Sequence, residues 1–184
     1  VPSNLDLSAM EVNLVNAMSR ERILSLYIDK IKKNYDYVII DCMPSLGMIT
    51  INALTAADKV IIPVQAHFLP AKGMTQLLKT IGRVQRNTNP NLRISGILLT
   101  LVDSRTNLAK EIKKTIQSSY GRKINMFKTE IPVAVSTAES PSQGESIFEY
   151  DPKSTVSEAY RKFAKEVLKN GEKEKFRDST GLDR

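Results

Sequence analysis

At 184 residues, with a net charge of +7 and an apolar content of 41%, the chain can bury one sizeable core and has the composition of a folded globular domain. No apolar run approaches the roughly 18 residues needed to span a bilayer. The single cysteine, Cys42, excludes an internal disulfide, and the single histidine, His67, cannot make a metal site alone. The basic balance is compatible with a polyanionic partner or with nothing more than a solvated surface.

Val1 to Leu7 reads as a linker. From Ser8 to Asn34 apolar residues recur at helical spacing, first Met10, Leu14 and Met18, then Ile23, Leu24, Tyr27, Ile28 and Ile31. Ser19 is placed as an N-cap for the second stretch, with Lys30, Lys32 and Lys33 where the helix dipole favours cations. Tyr37-Val38-Ile39-Ile40 is an unbroken run of β-formers, the pattern of a strand buried on both faces of a parallel sheet. It stops at Asp41, and a Pro/Ser/Gly loop, Cys42 to Gly47, follows. Ligands of open α/β sheets lie beyond the carboxyl ends of the strands. Asp41 is therefore a candidate Mg²⁺ carboxylate, acting directly or through water. A plain helix N-cap suits the same position. Cys42 reads as a buried structural thiol.

Met48 to Ala57 follows as a short helix, then Lys59 to Gln65 as a second buried-type strand in which Pro63 points to an end or an edge. Pro70 opens a helix to about Asn87. Met74, Leu77, Leu78, Ile81 and Val84 form its apolar stripe, and Lys72, Lys79, Arg83 and Arg86 a cationic one. Leu92 to Leu101 is a third strand, with Asp103 to Asn107 as the loop at its carboxyl end. Leu108 to Tyr120 is a helix with Ile112 and Ile116 inward, Lys110, Lys113 and Lys114 outward, and Gly121 as its stop. Ile124 to Thr129 is a fourth strand, ending at Ile131-Pro132. Val133 to Ala138 makes one helical turn and Glu139 to Gly144 a loop. Ser154 starts the last helix, with Val156, Tyr160, Phe163 and Val167 inward and Arg161, Lys165 and Lys169 as a further cationic stripe. Residues 1–169 are expected to form a single domain and 170–184 a flexible charged tail. The strand–helix alternation predicts an α/β fold, a doubly wound and mostly parallel sheet covered on both faces.

Several segments resemble one family in order and spacing. YDYVIIDCMPSLGMITINALTAADKVIIPVQ is similar to the Walker B and switch II region of ParA/Soj-type partition ATPases, members of the MinD/ParA class of deviant P-loop proteins. Ala71 to Leu78 is similar to the helix start that follows in that family. Gly96 to Asn107 (GILLTLVDSRTN), Ile131-Pro132 and Glu139 to Gly144 (ESPSQG) also match its segments, and the likeness runs from about Val1 to about Leu168. The resemblance implies a P-loop NTPase-like fold that binds ATP and Mg²⁺, dimerises across two nucleotides and binds DNA without sequence preference. It also implies stimulation by a ParB-like centromere-binding protein, no membrane partner, and a cytoplasmic, nucleoid-associated location. Asp41 would be the Walker B carboxylate, Thr100 and Pro132 would lie against the adenine, and Arg83, Arg86, Lys165 and Lys169 would meet DNA. A MinD-like positioning ATPase and a non-catalytic DNA-binding or adaptor module of the same fold are the alternatives.

Two departures stand out. The family opens with a KGGxGKT-type loop, and no glycine-rich stretch followed by Gly-Lys-Ser/Thr occurs among these residues. The chain is therefore expected to be the C-terminal part of a longer ATPase, its sheet incomplete on the N-terminal side. The open strand edge would be filled by a partner copy or by the missing segment. By itself the chain is expected neither to bind ATP tightly nor to hydrolyse it, because phosphoryl transfer needs a backbone cradle and a lysine. After Ile131-Pro132, Val133 and Ser136 stand where the family often has arginines, which puts that loop's part in DNA binding in doubt.

Overall fold

Met74, Ile81 and Val84 fall on one face of a helix, and all three are buried. Burying side chains of this size contributes about 1.5–3 kcal/mol each. The computed structural model describes Leu14 and residues 17–43, 45–66 and 71–180. The linker read over Val1–Leu7, the helix start at Met10, His67, Pro70 and the side chain of Lys72 lie outside the described residues. In chain order the regular elements are α1 (Ile23–Ile31), α2 (Met48–Ala56), β1 (Lys59–Gln65), α3 (Ala71–Asn87) and β2 (Arg93–Thr100). They continue with α4 (Asn107–Tyr120), α5 (Val135–Glu139), α6 (Ile147–Tyr150) and α7 (Thr155–Thr180). The chain divides into two compact units, Val1–Val60 with Pro70–Ile94, and Ile61–Leu69 with Ser95–Arg184.

In the first unit, buried side-chain amides do much of the joining. Asn52, 5% exposed, donates from Nδ2 to the carbonyls of Arg20 (2.7 Å) and Met48 (3.0 Å), and its Oδ1 accepts the Leu24 N–H at 3.2 Å. Asn52 therefore caps the start of α1 from α2. Ser19, expected in that role, has a left-handed backbone (φ 52°) and makes no side-chain cap bond. Asn89 Nδ2 donates to the carbonyls of Leu54 and Ala57, and the Thr55 and Thr88 hydroxyls are 2.9 Å apart. Each of these bonds ties α2 to the turn that leaves α3.

The strand expected at Tyr37–Ile40 does not form. Residues 37–40 carry no regular structure, and Tyr37 and Ile39 are 65% and 93% exposed. A parallel strand exists only by virtue of the ladder on its flanks, and no described residue supplies one here. Cys42, next to it, is exposed rather than buried. β1 was also expected to be covered on both faces. Its burial alternates instead, with Ile62 and Val64 buried and Lys59, Ile61, Pro63 and Gln65 exposed. Its one strand neighbour among the described residues is β2.

The pairing is parallel. Arg93 N–H donates to Asp58 O at 3.0 Å, and Ala66 N–H donates to Thr100 O at 3.0 Å. In the second unit residues 125–132 run alongside β2, also parallel, and touch it through bridges at Ile97–Met126 and Val102–Pro132 rather than through a full ladder. Gly96 makes that approach possible. A Cβ there would stand 2.9 Å from Asn125 O and 3.0 Å from the Phe127 ring. Leu98, Phe127, Ile131, Val156 and Ala159 form the core beneath, with Phe163 edge-on to Phe127 at 5.0 Å. Ile112 and Ile116 of α4 are buried as expected. Gly121 does end that helix, but with an ordinary right-handed backbone (φ −62°). The last helix starts as expected, with Ser154 Oγ accepting the Ser157 N–H. It then continues through Gly171 to Thr180, over the stretch assigned to the tail. Its Glu, Lys and Arg residues are good helix formers, and one interior glycine costs only about 1 kcal/mol.

Candidate functional site

The carboxyl end of β2 is where the backbone leaves its ordinary range. Leu101, immediately after Thr100, has φ 51°. The left-handed region is unfavourable for a leucine, and such positions concentrate at functional edges. The neighbouring bonds account for the strain. Ile131 N–H donates to Leu99 O (2.9 Å), Val102 N–H to Ile131 O (3.0 Å), and Val133 N–H to Val102 O (3.3 Å). The chain must turn at Leu101 to keep both flanking pairs. The same bonds place Thr100 and Pro132, the two residues expected against an adenine, on one edge.

The loop that follows is already fixed. Asp103 receives Arg105 Nε and Nη2, each at 2.9 Å, and its Oδ1 also accepts the Arg105 N–H at 3.1 Å. The carboxylate pushes the Arg105 guanidinium further above its ordinary range. Thr106 Oγ1 accepts the Ala109 N–H and so caps α4. Polar atoms along Leu99–Thr106 are thus held by short-range bonds before any ligand arrives.

Behind this edge, one carboxylate secures the segment that carries Pro132. Glu166, half-buried on α7, accepts the Lys128 N–H (2.8 Å), the Thr129 N–H (3.0 Å) and the Thr129 hydroxyl (2.8 Å). Burial raises its pKa, but the two backbone donors, the hydroxyl and the Lys128 charge outweigh that and hold the carboxyl below its ordinary value. In the sequence Glu166 is one more acid in a charged helix, and no local signal points to it.

Asp41 lies in the first unit, exposed, at the end of the unpaired 37–40 segment. Among the described residues no group of three or more His, Cys, Asp or Glu could hold a metal. Nucleotide-bound Mg²⁺ needs no such cage, since it keeps several waters and takes one or two carboxylates beside the phosphates. An exposed carboxylate after a β-forming run suits that part. Although Cys42 is exposed, neighbouring atoms partly desolvate its thiol and, with the Asp41 charge, raise its pKa, which disfavours the reactive thiolate. The expected DNA-facing cations divide between helices. Arg83 and Arg86 are exposed on α3 in the first unit, and Lys165 and Lys169 are exposed on α7 in the second. Arg161, the first of the α7 stripe, is engaged at home, with Nη1 donating to Pro152 O and its guanidinium 5.1 Å from the centre of the Phe148 ring. No helix among the described residues is long and apolar enough to cross a membrane.

Comparison with known proteins supplies the rest. A family model described as an AAA domain matches residues 1–94. The chain is 45% identical over 171 residues to the sporulation initiation inhibitor protein Soj of Bacillus subtilis, covering 93% of this chain and 67% of that protein. It is 40% identical over 168 residues to the chromosome-partitioning ATPase Soj of Treponema pallidum, covering 91% of this chain and 66% of that one. Among solved structures, cobyrinic acid a,c-diamide synthase from Mycobacterium smegmatis with a bound ATP analogue and magnesium superposes with a TM-score of 0.79 at 36% identity. That match covers 93% of this chain and 62% of the other. The chain thus spans about two thirds of the length of these relatives, and its α/β parallel-sheet architecture is theirs.

Proposed function

The chain belongs to the Soj/ParA family of chromosome-partitioning ATPases, and from that premise we propose that it forms the metal-side, base-side and DNA-facing part of an ATP-driven partition protein. Asp41 holds a water ligand of the nucleotide's Mg²⁺. The edge formed by Thr100, Leu101 and Pro132 receives the adenine. Arg83, Arg86, Lys165 and Lys169 meet the phosphates of DNA. Bound Mg·ATP supplies the phosphoryl group, and Asp41 neutralises charge on the metal side of it. The protein dimerises across two nucleotides, binds DNA without sequence preference, and is released by a ParB-like partner. In the cell it is cytoplasmic and associated with the nucleoid.

One observation carries the reading of the nucleotide edge. Residues 99–102 and 131–133 are pinned side by side at a carboxyl strand end, with Leu101 held at a left-handed φ of 51°. The 36%-identical neighbour carries an ATP analogue and magnesium, which supports a nucleotide and Mg²⁺ as the ligands of this family. The fit is partial, because no residue of this sequence offers a glycine-rich phosphate cradle.

The test is Asp41→Ala in the protein that carries this chain. Mg²⁺-dependent ATP hydrolysis is expected to fall about 100-fold or more, in line with the loss of one transition-state-stabilising group. Binding of ATP in EDTA should be nearly unaffected. Unchanged hydrolysis refutes the role given to Asp41.

A further inference from the structure

We propose that the outer face of α3 is a built contact surface for the sugar–phosphate backbone of duplex DNA, centred on Lys79, Arg83 and Arg86 and completed by Thr75, Gln76 and Thr80. The inference rests on the DNA-binding reading above and adds a location and a residue set to it.

Four observations carry it. First, the cations and their polar neighbours share one face of α3. A depression of about 520 Å³ is lined by Thr75, Gln76, Lys79, Thr80 and Arg83. It shares Thr80 and Arg83 with a second cleft of about 260 Å³ that runs on toward Asn87 and Thr88. No carboxylate lines the first depression. The one carboxylate in the second, Glu21, is already paired with Arg20 at 3.2 Å.

Second, these cations have no competing partner among the described residues. Lys32 pairs with Asp29, Lys113 with Glu130 and Lys162 with Glu158, whereas Lys79, Arg83 and Arg86 make no ion pair with a described residue. An unpaired cation gives up little when it takes a phosphate, because no existing bond must break.

Third, the spacing suits a phosphate row. From Lys79 to Arg86 an α-helix rises about 10 Å. Duplex DNA presents one phosphate per roughly 3.4 Å of axis on each strand, so the row covers about three phosphate steps of one strand, within reach of long, flexible Lys and Arg side chains. Threonine hydroxyls and a glutamine amide are neutral donors of the kind that accompany Arg and Lys at backbone contacts.

Fourth, the face excludes a lipid surface. Interfacial helices bury large apolar residues beside their cations, and among the described residues none of the exposed large hydrophobics lies on α3. On α7, by comparison, Arg161 is occupied by Phe148 and Pro152 O, and Lys162 by Glu158.

The experiment titrates the protein that carries this chain, loaded with ATP and Mg²⁺, with a fluorescent random-sequence duplex across a salt series, with fold checked by circular dichroism. It compares the wild type with Lys79→Gln/Arg83→Gln/Arg86→Gln, with single Arg83→Gln, and with a matched control in the same unit, Arg22→Gln/Lys30→Gln/Lys33→Gln. Each phosphate contact contributes about −0.9 to the slope of log K against log salt. The triple variant should therefore lose about 2.7 of slope, and between about 50 and 200 mM salt the wild type should lose about 40-fold more affinity than the variant does. Single Arg83→Gln should lose about 0.9 and keeps the test decisive if the triple variant does not fold. The control should keep the wild-type slope. An equal loss in the control, an unchanged slope in the α3 variants, or displacement of the duplex by polyglutamate or phosphatidylglycerol vesicles at lower charge concentration than by DNA overturns the α3 assignment alone. A wild type that fails to bind the duplex at low salt overturns the DNA-binding reading itself.

Discussion

Replacing Glu166 probes the link between the last helix and the edge that carries Pro132. Its carboxylate receives two backbone N–H groups, from Lys128 and Thr129, and the Thr129 hydroxyl, at 2.8–3.0 Å. A hydrogen bond to a charged group is worth about 1.5–3 kcal/mol net when shielded. Glu166 is only half-buried, so water competes for the same donors and the sum must be discounted heavily. Glu166→Ala is therefore expected to cost about 2 kcal/mol near neutral pH, and Glu166→Gln, which keeps one acceptor oxygen, about 1 kcal/mol. For a chain of this size 2 kcal/mol lowers Tm by about 4–8 °C. The pH dependence separates the charge from the shape. The folded-state pKa lies below the unfolded one, so the stabilisation is fully present above the unfolded value of about 4.3 and is lost as pH falls through the folded value. Urea titrations near pH 7 and again near pH 3 should show the wild-type advantage over Glu166→Gln shrinking at the lower pH. The same advantage at both pH values refutes the electrostatic account and leaves packing alone.

Two further substitutions test the contacts that join elements distant in sequence. Gly96→Ala puts a methyl group 2.9 Å from Asn125 O and 3.0 Å from the Phe127 ring, so overpacking is expected to cost about 1–3 kcal/mol. Urea denaturation reads it, and an unchanged midpoint means the 125–127 segment does not depend on that approach. Asn52→Ala leaves the Leu24 N–H and the Arg20 carbonyl without the partners they have now, at about 2–3 kcal/mol. Hydrogen exchange should accelerate first at the start of α1, and protection there equal to wild type would show that another group caps that helix.

What the sequence made legible is what local spacing decides. The Lys59–Gln65 strand and the ends of α3 and α4 were readable because each carries its own periodicity and its own breakers, such as Asn87-Thr88-Asn89-Pro90 after α3. Thr100 and Pro132 were singled out by the family resemblance alone, and the segment before Pro132 meets β2 without forming a strand of its own. What stayed hidden depends on partners far along the chain. Tyr37–Ile40 has every composition cue of a buried strand, yet composition cannot provide the neighbouring ladder that makes one. Ser19 has a capping side chain in the right place, but the cap comes from Asn52, 28 residues from Leu24. The tail expected from Asn170 rested on its mixed charge signs and glycines, yet the Glu, Lys and Arg residues there are also good helix formers and α7 runs to Thr180.

The segment that carries Pro132 is held differently from a regular strand. Residues 125–132 have no continuous ladder against β2; a few separated backbone bonds, such as Phe127 N–H to Ile97 O and Ile131 N–H to Leu99 O, fix their register, helped by the close passage over Gly96 and the Glu166 carboxylate. Phe163 packs on Phe127 from the same helix that carries Glu166, three residues away, so one face of α7 sets both the depth and the register of the segment. A strand fixed by many equivalent backbone bonds tolerates the loss of one. A segment fixed by a few unlike contacts does not, and their losses should couple. Glu166→Gln combined with Gly96→Ala is therefore expected to cost more than the sum of the two, by about 0.5 kcal/mol or more. Strict additivity in the double-mutant cycle would mean that the two contacts act on independent parts of the edge.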